Sequence, residues 1–285
     1  ESTVPVGTTE RILEFLSDSR NDLSFPSEAL EEADVFIAHC PERVLPGKVI
    51  EELVQNDRII GGISKSCTEK AIKLYEHFLQ GLCHSTNART AEMAKLTENA
   101  SRDVQIAFAN ELSMICDAQD IDPWELIELA NRHPRVNILT PGPGVGGHCI
   151  AVDPWFIAYS NPEKSKLIQC ARAVNNEKKN WVVTKILEIF EYKNIQRYVL
   201  LGMSYKPDTD DLRESPSVEI AKQLVTSTYK EVVCIEPHSD QPNIENVKCI
   251  SDIQIPTGDF TICQSGILAL MDIRQNDDID IIISS

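Results

Sequence analysis

Several features are scarce or missing in this 285-residue chain, and each absence narrows the class of protein. No stretch of 18 apolar residues occurs, so no segment predicts a membrane-spanning helix. Nine cysteines are scattered along the chain, but none forms a CxxC pair or a His/Cys cluster at zinc-ligand spacing. This pattern argues against disulfides and a bound metal, and it favours the reducing cytoplasm.

Positive charge is also in short supply, because 27 Lys and Arg stand against 44 Asp and Glu, a formal net charge of -17. Such a surface repels phosphate backbones and anionic lipids, so neither nucleic acid nor a membrane is the expected partner. The first residues, ESTVPVGTTE, contain neither an initiator methionine nor a signal peptide. They have the pattern of a strand end entering a turn, which predicts that further elements precede them.

The hydrophobic pattern predicts an α/β protein in three parts. Residues 1–64 are expected to be the remnant of a Rossmann domain, with a helix over 8–16 and strands over 33–38 and 57–62, the strands being separated by a loop. Residues 65–192 are expected to form a central helical domain. Its predicted elements are helices over 66–79 and 90–119, a helix opened by Asp122 and Pro123, a Gly/Pro loop over 140–147 and a long helix over 165–190.

Residues 193–285 predict a Rossmann-like domain with a parallel sheet. A strand over 198–203, a helix over 217–224 and a strand over 231–237 follow one another as a βαβ unit. The final run, IDIIISS, is strand-like and has no closing helix after it. This ending indicates a truncated or altered C-terminus.

The strongest local signal is the glycine-dense loop from Gly142 to Cys149, GPGVGGHC. Glycines let the backbone approach a ligand closely, and the loop presents a thiol beside the imidazole of His148, with Asp153 four residues later. The alternative is an ordinary turn followed by a small buried cysteine.

Two further clusters carry charge. Helical spacing places Lys95, Asn99 and Arg102 on one helix face, where they form either a ligand grip or a solvated surface. Tyr205, Lys206 and Arg213 follow the strand YVLLGM, at the kind of strand end where α/β sheets bind phosphates; an ordinary charged loop is the alternative. No partner pattern surrounds His39, His77 and His84, which are therefore interpreted as structural.

Five motifs together resemble the UDP-glucose/GDP-mannose dehydrogenase family. They are ESTVPVG, CPERV, AEMAKLTENASRD, GPGVGGHCIAVDPWF and YKPDTDDLRESP, in the family's order, and the resemblance covers roughly residues 1 to 240. It implies a four-electron oxidation of a sugar C6 alcohol to a carboxylate with two NAD. The family's strand–GxGxxG–helix unit with its ribose-binding acid does not occur here, and residues 241–285 diverge from the pattern.

The resemblance also implies roles for individual residues. Cys149 would be the nucleophile, Lys95 and Asn99 would stabilise the C6 oxyanion, Asp153 and Thr3 would hold water, and Glu42 would be a general base. The implied substrate contacts are Arg43, Val44, Arg102, Gly144, Tyr205 and Lys206, with His133 and Arg135 reaching a neighbouring subunit of a homodimer or larger homo-oligomer. The implied NAD contacts are Thr3, His148 and Arg213.

Within the family, GGHC followed by IAVDPWF resembles the branch that oxidises UDP-N-acetylmannosamine for cell-surface polysaccharides, whereas UDP-glucose and GDP-mannose enzymes usually carry Ser before the Cys. UDP-N-acetylglucosamine and UDP-glucose remain alternative substrates. A second class of function is a non-catalytic nucleotide-sugar-binding fragment. A third is a cysteine hydrolase that uses Cys149, a histidine and Asp153. Adjacent residues of an extended loop point apart, however, which makes His148 a poor base for Cys149.

Overall fold

The structure is a computed structural model of the chain, and it divides into two compact units. The first unit comprises residues 1–100 and 155–162, and the second comprises residues 101–154 and 163–285. The residues described below are 1–26, 33–44, 47–190, 195–206, 209–236, 244, 247–250, 260–264 and 279–284. Among them, no helix combines the length and apolar character that crossing a bilayer requires.

The first unit is built around a three-stranded sheet in the order β1-β2-β3. Strand β2 pairs antiparallel with β1 and parallel with β3, with Ile60 opposite Ser85. Cys40, Ile60 and Tyr75 form its buried apolar cluster. The elements are α1 (Thr8–Ser19), β1 (Ala38–His39), α2 (Val49–Gln55), β2 (Arg58–Gly62), α3 (Lys65–Tyr75) and β3 (Cys83–Asn87).

Local chemistry explains the turn between β2 and α3. Ser64 caps the helix by accepting a hydrogen bond from the Cys67 amide, and Thr68 accepts one from the Gly62 amide at 2.9 Å. Gly61 has no room for a side chain, because an added Cβ would lie 2.2 Å from the Asn87 carbonyl oxygen. Gly61 therefore lets the chain after β3 pass directly beside the sheet, and Gly62 lets α3 do the same.

The structure of this unit differs from the sequence-based expectation in three elements: one predicted strand and two elements that were not predicted. The strand predicted over 33–38 is wrong for most of its length, because β1 contains only Ala38 and His39. The amides of Asp34 and Val35 donate instead to the Ser24 carbonyl, so they are not available to a partner strand. Sequence analysis also missed α2 and the polar strand β3, CHSTN, which has no apolar alternation.

Four helices provide most of the rest of the chain before the second sheet. The 31-residue α4 (Ala88–Ala118) is about 46 Å long and begins in the first unit. Helix α5 (Pro123–Ala130) is capped as predicted, since Asp122 accepts from the Trp124 amide and Pro123 occupies the first turn. They are followed by α6 (Asp153–Ser160), which was not anticipated, and the 25-residue α7 (Lys166–Phe190).

The second sheet contains five parallel strands in the order β6-β5-β4-β8-β7. Its elements are β4 (Ile195–Leu201), α8 (Pro216–Thr228), β5 (Glu231–Ile235), β6 (Lys248–Ile250), β7 (Phe260–Gln264) and β8 (Ile279–Ser284). The terminal run predicted to be a strand is β8, which pairs with β4. An apolar core joins α7, α8, β4 and β5 through residues such as Ile186, Leu200 and Leu224. The predicted α/β class, with a helical middle and a parallel sheet, is confirmed.

Candidate active site

The glycine loop of the second unit is shaped by close approaches that exclude side chains. Gly144 and Gly147 have positive φ angles of 140° and 82°, which favour glycine. An added Cβ on Gly147 would lie 2.7 Å from the Tyr205 ring, and one on Gly146 would lie 2.6 Å from the Glu214 carbonyl oxygen. The loop therefore lies directly against the segment that follows β4.

Cys149 stands between this loop and α6. Its carbonyl oxygen accepts hydrogen bonds from the amides of Val152, at 3.0 Å, and Asp153, at 2.8 Å. These bonds start the helix that Asp153 opens, and the Asp153 side chain is buried there. The thiol of Cys149 is partly exposed, whereas the cysteines at 40, 67, 116 and 234 are buried. Cys149 therefore combines access with a fixed backbone, as a catalytic thiol requires.

A charged cluster faces the loop from the segment after β4. Arg213 donates to Asp211 through Nε at 2.9 Å and Nη2 at 2.6 Å, and the Gly147 amide donates to the Arg213 carbonyl at 2.9 Å. The imidazole Nδ1 of His148 lies 3.7 Å from the same Asp211 carboxylate. The hydrogen bond from Arg213 is the main reason why the pKa of Asp211 falls to about 2.

Tyr205 completes this cluster. Burial raises the pKa of its phenol first of all, and negative charge on Asp211 and on Cys149 raises it further. The Tyr205 amide donates to the Asp211 carbonyl at 3.2 Å. Cys149, His148, Tyr205 and Arg213, which the sequence selected from two separate motifs, thus lie together with Asp211, which it did not select. Asp211 lies within the quoted motif YKPDTDDLRESP, and its position two residues before Arg213 was the available signal.

The segment that carries Tyr205 and Lys206 is held at the end of β4 by a buried acid. Glu236, directly after β5, accepts hydrogen bonds from the amides of Met203, at 2.7 Å, and Ser204, at 2.9 Å. Lys206 follows in the same loop, partly exposed. The sheet order reverses beside β4, so this loop lies at the switch point where parallel sheets bind ligands.

His133 and Arg135 lie in an exposed loop that follows α5. The Asn131 side chain closes the loop, donating to the Ile138 carbonyl at 2.9 Å and accepting from the Ile138 amide at 2.7 Å. The Arg135 amide donates to Nδ1 of His133 at 3.3 Å. The loop is thus preorganised and open to solvent.

In the first unit, the segment that contains Thr3 is anchored to α4 by Glu92. This carboxylate accepts from the Gly7 amide at 2.6 Å, the Thr9 amide at 2.7 Å and the Thr9 hydroxyl at 2.6 Å. Glu92 is buried and stands three residues before Lys95. Sequence analysis quoted its motif, AEMAKL, but missed this anchoring role.

The CPERV segment lies between the chain start and α4. The Glu42 amide donates to the Glu1 carbonyl at 3.2 Å, and the Glu42 carboxylate accepts from the Val44 amide. Arg43 forms a 2.9 Å ion pair with Glu98 of α4. The structure therefore brings the predicted residues 42–44 together with the Thr3 segment and with the helix that carries Lys95 and Asn99.

Helix α4 is continuous through Lys95, Asn99 and Arg102, so the predicted helical spacing is present. Lys95 and Asn99 are partly exposed, and Arg102 is exposed. The first two belong to the first unit, whereas Arg102 and Cys149 belong to the second. The predicted roles of these residues stay predictions.

Two of the three histidines interpreted as structural have local polar partners, and the third is buried. His39 is buried, and burial lowers the pKa of its imidazole. His77 lies 2.6 Å from the Lys73 carbonyl oxygen, and His84 lies 2.9 Å from Asp57. Among the described residues, no group of three or more His, Cys, Asp or Glu side chains is placed to hold a metal ion.

The described residues fit an NAD molecule only in part. The N-terminus of α1 is not open to a pyrophosphate, because the carboxylate of Glu92 already accepts from its amides. Residues 142–147 satisfy the letters G-x-G-x-x-G, but they follow no strand and lead to Cys149. Thr3, His148 and Arg213 are the candidate contacts that the chain contributes.

Three sequence models of the UDP-glucose/GDP-mannose dehydrogenase family match the chain in order. The NAD binding domain matches residues 1–79, the central domain 89–177 and the UDP binding domain 199–270. The last match extends beyond residue 240, where the sequence analysis placed the end of the resemblance.

Individual relatives agree with this assignment. A UDP-N-acetyl-D-mannosamine dehydrogenase of Campylobacter jejuni is 56% identical over 88% of this chain and 63% of its own length. An NDP-N-acetyl-D-galactosaminuronic acid dehydrogenase of Ralstonia solanacearum is also 56% identical, over 84% of this chain and 56% of its own length. The chain thus spans about 60% of these relatives.

A solved structure has the same fold. The UDP-N-acetyl-mannosamine dehydrogenase of S. aureus superposes with a TM-score of 0.79 and 42% identity, covering 93% of this chain and 60% of that one. Since all three family models and these relatives match in register, the chain belongs to the UDP-glucose/GDP-mannose dehydrogenase family.

Proposed function

We propose that the complete protein oxidises the C6 alcohol of UDP-N-acetylmannosamine to the carboxylate, with NAD as the oxidant. The observation that carries this proposal is Cys149, a partly exposed thiol on a rigid loop beside Tyr205 and Arg213, in a chain of this dehydrogenase family. NAD, when bound, accepts one hydride at each of the two oxidation steps. The remaining chemistry falls to the protein's own side chains.

The proposed role of Cys149 is covalent capture. Its thiolate attacks the C6 aldehyde to give a thiohemiacetal, whose oxidation leaves a thioester that water hydrolyses to the acid and the free thiol. Arg213 supports this role, because the Cys149 thiolate lies close enough to contribute to the raised pKa of the guanidinium, after the larger effect of Asp211. A nearby cation favours the thiolate form that reacts.

Proton transfer and charge stabilisation are proposed for residues on three segments. Lys95 and Asn99 donate to the oxygen at C6 while it carries negative charge, which is typically a large catalytic effect. Asp153 and Thr3 orient the water, and Glu42 accepts a proton during thioester hydrolysis. The anchoring of the Thr3 segment and of residues 42–44 to α4 supports a joint role for Thr3, Glu42, Lys95 and Asn99 within the first unit.

Substrate binding is proposed for Arg43, Val44, Arg102, Gly144, Tyr205 and Lys206, and NAD contacts for Thr3, His148 and Arg213. The position of Tyr205 and Lys206 at the switch point of the second sheet supports a site for the UDP group. The exposed His133 and Arg135 are proposed to reach the site of a neighbouring subunit.

A homodimer or larger homo-oligomer is part of this proposal. The helices of the second unit expose large apolar side chains, among them Phe108 and Ile115 on α4, Leu129 on α5 and Leu167 on α7. Such side chains are typical of surfaces that bury one another in an assembly. The acid product would serve cell-surface polysaccharide synthesis in the cytoplasm.

The choice of sugar is tested by measuring NADH formation by the complete protein with three substrates. We expect kcat/KM to be highest for UDP-N-acetylmannosamine, lower for UDP-N-acetylglucosamine and lowest for UDP-glucose, because His148 occupies the position that is usually Ser in UDP-glucose enzymes. The relatives named for N-acetylmannosamine and N-acetylgalactosaminuronic acid are equally identical to this chain, so sequence identity alone does not select the sugar. A higher kcat/KM for UDP-glucose contradicts the assignment.

Two other classes of function give different results in the same assay. A non-catalytic nucleotide-sugar-binding protein would bind UDP without forming NADH, and the 285-residue chain alone is expected to behave in this way. A cysteine hydrolase would cleave thioesters with no requirement for nicotinamide. In the structure, His148 faces the Asp211 carboxylate, which is already engaged by Arg213, and this arrangement does not favour a hydrolase triad.

A further inference from the structure

A continuous line of buried hydrogen bonds connects α7, α4 and the start of the glycine loop within the second unit. Arg172 donates to Asp103 at 2.6 Å, and Asn175 donates to the same Asp103 oxygen at 2.8 Å. Asn110 then donates to Asn175 at 2.9 Å and accepts from the Gly142 amide at 2.8 Å. We refer to Asp103, Arg172, Asn175 and Asn110 as the relay; each is at most 3% exposed.

The charge at one end of the relay fixes the orientation of both amides. An ionised Asp103 only accepts, so Asn175 turns its nitrogen toward Asp103 and its oxygen toward Asn110. Asn110 therefore turns its nitrogen toward Asn175 and presents its oxygen to Gly142. Burial raises the pKa of Asp103, and the neighbouring Arg172 and Asn175 oppose this effect.

The relay also contacts the loop through its backbone. A Cβ on Gly144 would lie 3.0 Å from the Asn175 carbonyl oxygen, so α7 limits the path of the loop two residues after Gly142. The far end of the loop is fixed by the bond from the Gly147 amide to Arg213. Cys149 follows immediately, so its position depends on both attachments.

The relay stabilises the fold less than apolar side chains would, which points to a role in positioning the loop. Within the described part of the chain, Oδ2 of Asp103 and Nε of Arg172 have no hydrogen-bond partner despite their burial. A buried ion pair with unsatisfied atoms generally stabilises a protein less than apolar side chains of similar size. Its retention is explained if its function is to direct Asn110.

We propose that the relay residues are positioning residues for Cys149, holding the start of the glycine loop so that the thiol meets the substrate carbon. This inference deepens the proposed function and rests on it for its catalytic part. The start of the loop is held by a hydrogen bond to one acceptor atom, Oδ1 of Asn110, whose orientation is set 65 residues away in sequence by Asn175.

Two substitutions of similar size test the acceptor. Asn110→Leu removes it, whereas Asn110→Asp keeps it and, when protonated, also supplies the donor that Asn175 requires. In the complete protein we expect Asn110→Leu to accelerate hydrogen exchange of the Gly142 amide at least tenfold and to lower kcat at least tenfold, with KM changing less than twofold. Asn110→Asp should approach parental exchange as the pH falls from 8 to 5.5.

Thiol alkylation provides a readout that needs no turnover. The rate at Cys149 is compared, by peptide mass spectrometry, with the rate at Cys170, an exposed thiol on α7 that serves as internal reference. We expect the ratio of the two rates to change at least threefold in Asn110→Leu. Because this ratio and the exchange rate are independent of NAD and sugar, they stand even if the dehydrogenase proposal fails.

Val183→Ala is the matched control, because Val183 is buried on α7 in the apolar core and lies outside the relay. It should lower Tm to a similar degree while leaving Gly142 exchange, the alkylation ratio and kcat near parental values. Parental Gly142 exchange in Asn110→Leu would overturn the proposal. Equal effects of Val183→Ala, or faster exchange with an unchanged kcat, would overturn it as well.

Discussion

Helix α4 buries two carboxylates, one near its start and one at its middle, and the two are used differently. Near the start of the helix, Glu92 accepts three hydrogen bonds from the backbone and hydroxyl of the Gly7–Thr9 turn. Further along, Asp103 accepts from the side chains of Arg172 and Asn175 and leaves one oxygen without a partner among the described residues. The first acid is satisfied locally, and the second directs a line of side chains.

This difference bears on how each group of candidate residues is held. Glu92 fixes the turn after Thr3 to the helix turn that also carries Lys95, so short-range geometry suffices there. Cys149 stands on a loop without regular structure, and its attachment comes from α7 through side chains distant in sequence. A loop of glycines gains rigidity only from such contacts, because its own backbone has the widest conformational freedom.

The largest expected effect separates the role of Cys149 on the glycine loop from the role of Lys95 on α4. Cys149→Ser should lower steady acid formation by roughly 10³-fold or more, because a serine hydroxyl is far less ionised than a thiol near neutral pH. The first oxidation should persist, giving a slow burst of at most one NADH per sugar instead of two. Stoichiometry measured in single turnover checks this outcome.

Two variants sharpen this result. Lys95→Ala should slow the first oxidation itself by roughly 10²-fold, because the donor that stabilises the C6 oxygen is lost. Cys170→Ser, which alters an exposed thiol on α7, should have parental kinetics. Acid formation at the parental rate by Cys149→Ser would show that the thiol is structural.

The next effect compares the stability provided by the two carboxylates. Asp103→Leu leaves Arg172 buried without its partner and should lower the free energy of unfolding by about 3–5 kcal/mol. Adding Arg172→Met should recover most of this loss, because both charges are then gone. Glu92→Gln should cost about 2 kcal/mol, since its amide nitrogen would face a backbone N–H donor.

No second side-chain substitution can restore the stability lost in Glu92→Gln, because two of the three donors to the Glu92 carboxylate are backbone amides. Urea denaturation followed by tryptophan fluorescence measures all three variants. If the double variant is no more stable than Asp103→Leu, the buried charge of Arg172 is not the source of the loss, and the contrast between the two carboxylates of α4 fails.

Sequence patterns predicted the long elements well. The 3.6-residue periodicity identified α4 and α7, and the Asp–Pro pair at 122–123 identified the start of α5. The same letters, Asp–Pro–Trp, recur at 153–155 and open α6, so this helix was accessible to the same reasoning. Strand β3 was not, because its polar sequence has no alternation and its pairing with β2 is a tertiary contact.

At the candidate site, too, sequence patterns did not identify residues whose role depends on tertiary contacts. Motifs selected Cys149, Tyr205 and Arg213, which the structure places in one cluster. Asn110 and Asn175 carry no motif, and an asparagine inside an apolar helix face has no preferred interpretation. Their role depends on a contact between residues 65 positions apart, which no local pattern encodes.

The smallest expected effect concerns another buried charge, which contacts α4 at Ser113. Lys178 on α7 is fully buried, donates to the Ser113 hydroxyl at 2.7 Å and lies 3.8 Å from the centroid of the Trp181 ring. Burial lowers the pKa of Lys178 from 10.5 to about 7, although Asp117 acts in the opposite direction. Between these two pH values the unfolded chain binds more protons than the folded one, so the free energy of unfolding rises with pH across this window. The destabilisation caused by burying the charged lysine is complete below pH 7.

Lys178→Met should therefore raise the free energy of unfolding by about 1 kcal/mol at pH 6.5, an advantage that shrinks toward pH 10. Thermal unfolding of both proteins from pH 6 to 10 gives this difference, and Lys185→Met, which alters a partly exposed ion pair with Asp117, is the control that should show no such gain. A constant difference between Lys178→Met and the parent across this range would show that Lys178 keeps its proton in the folded protein.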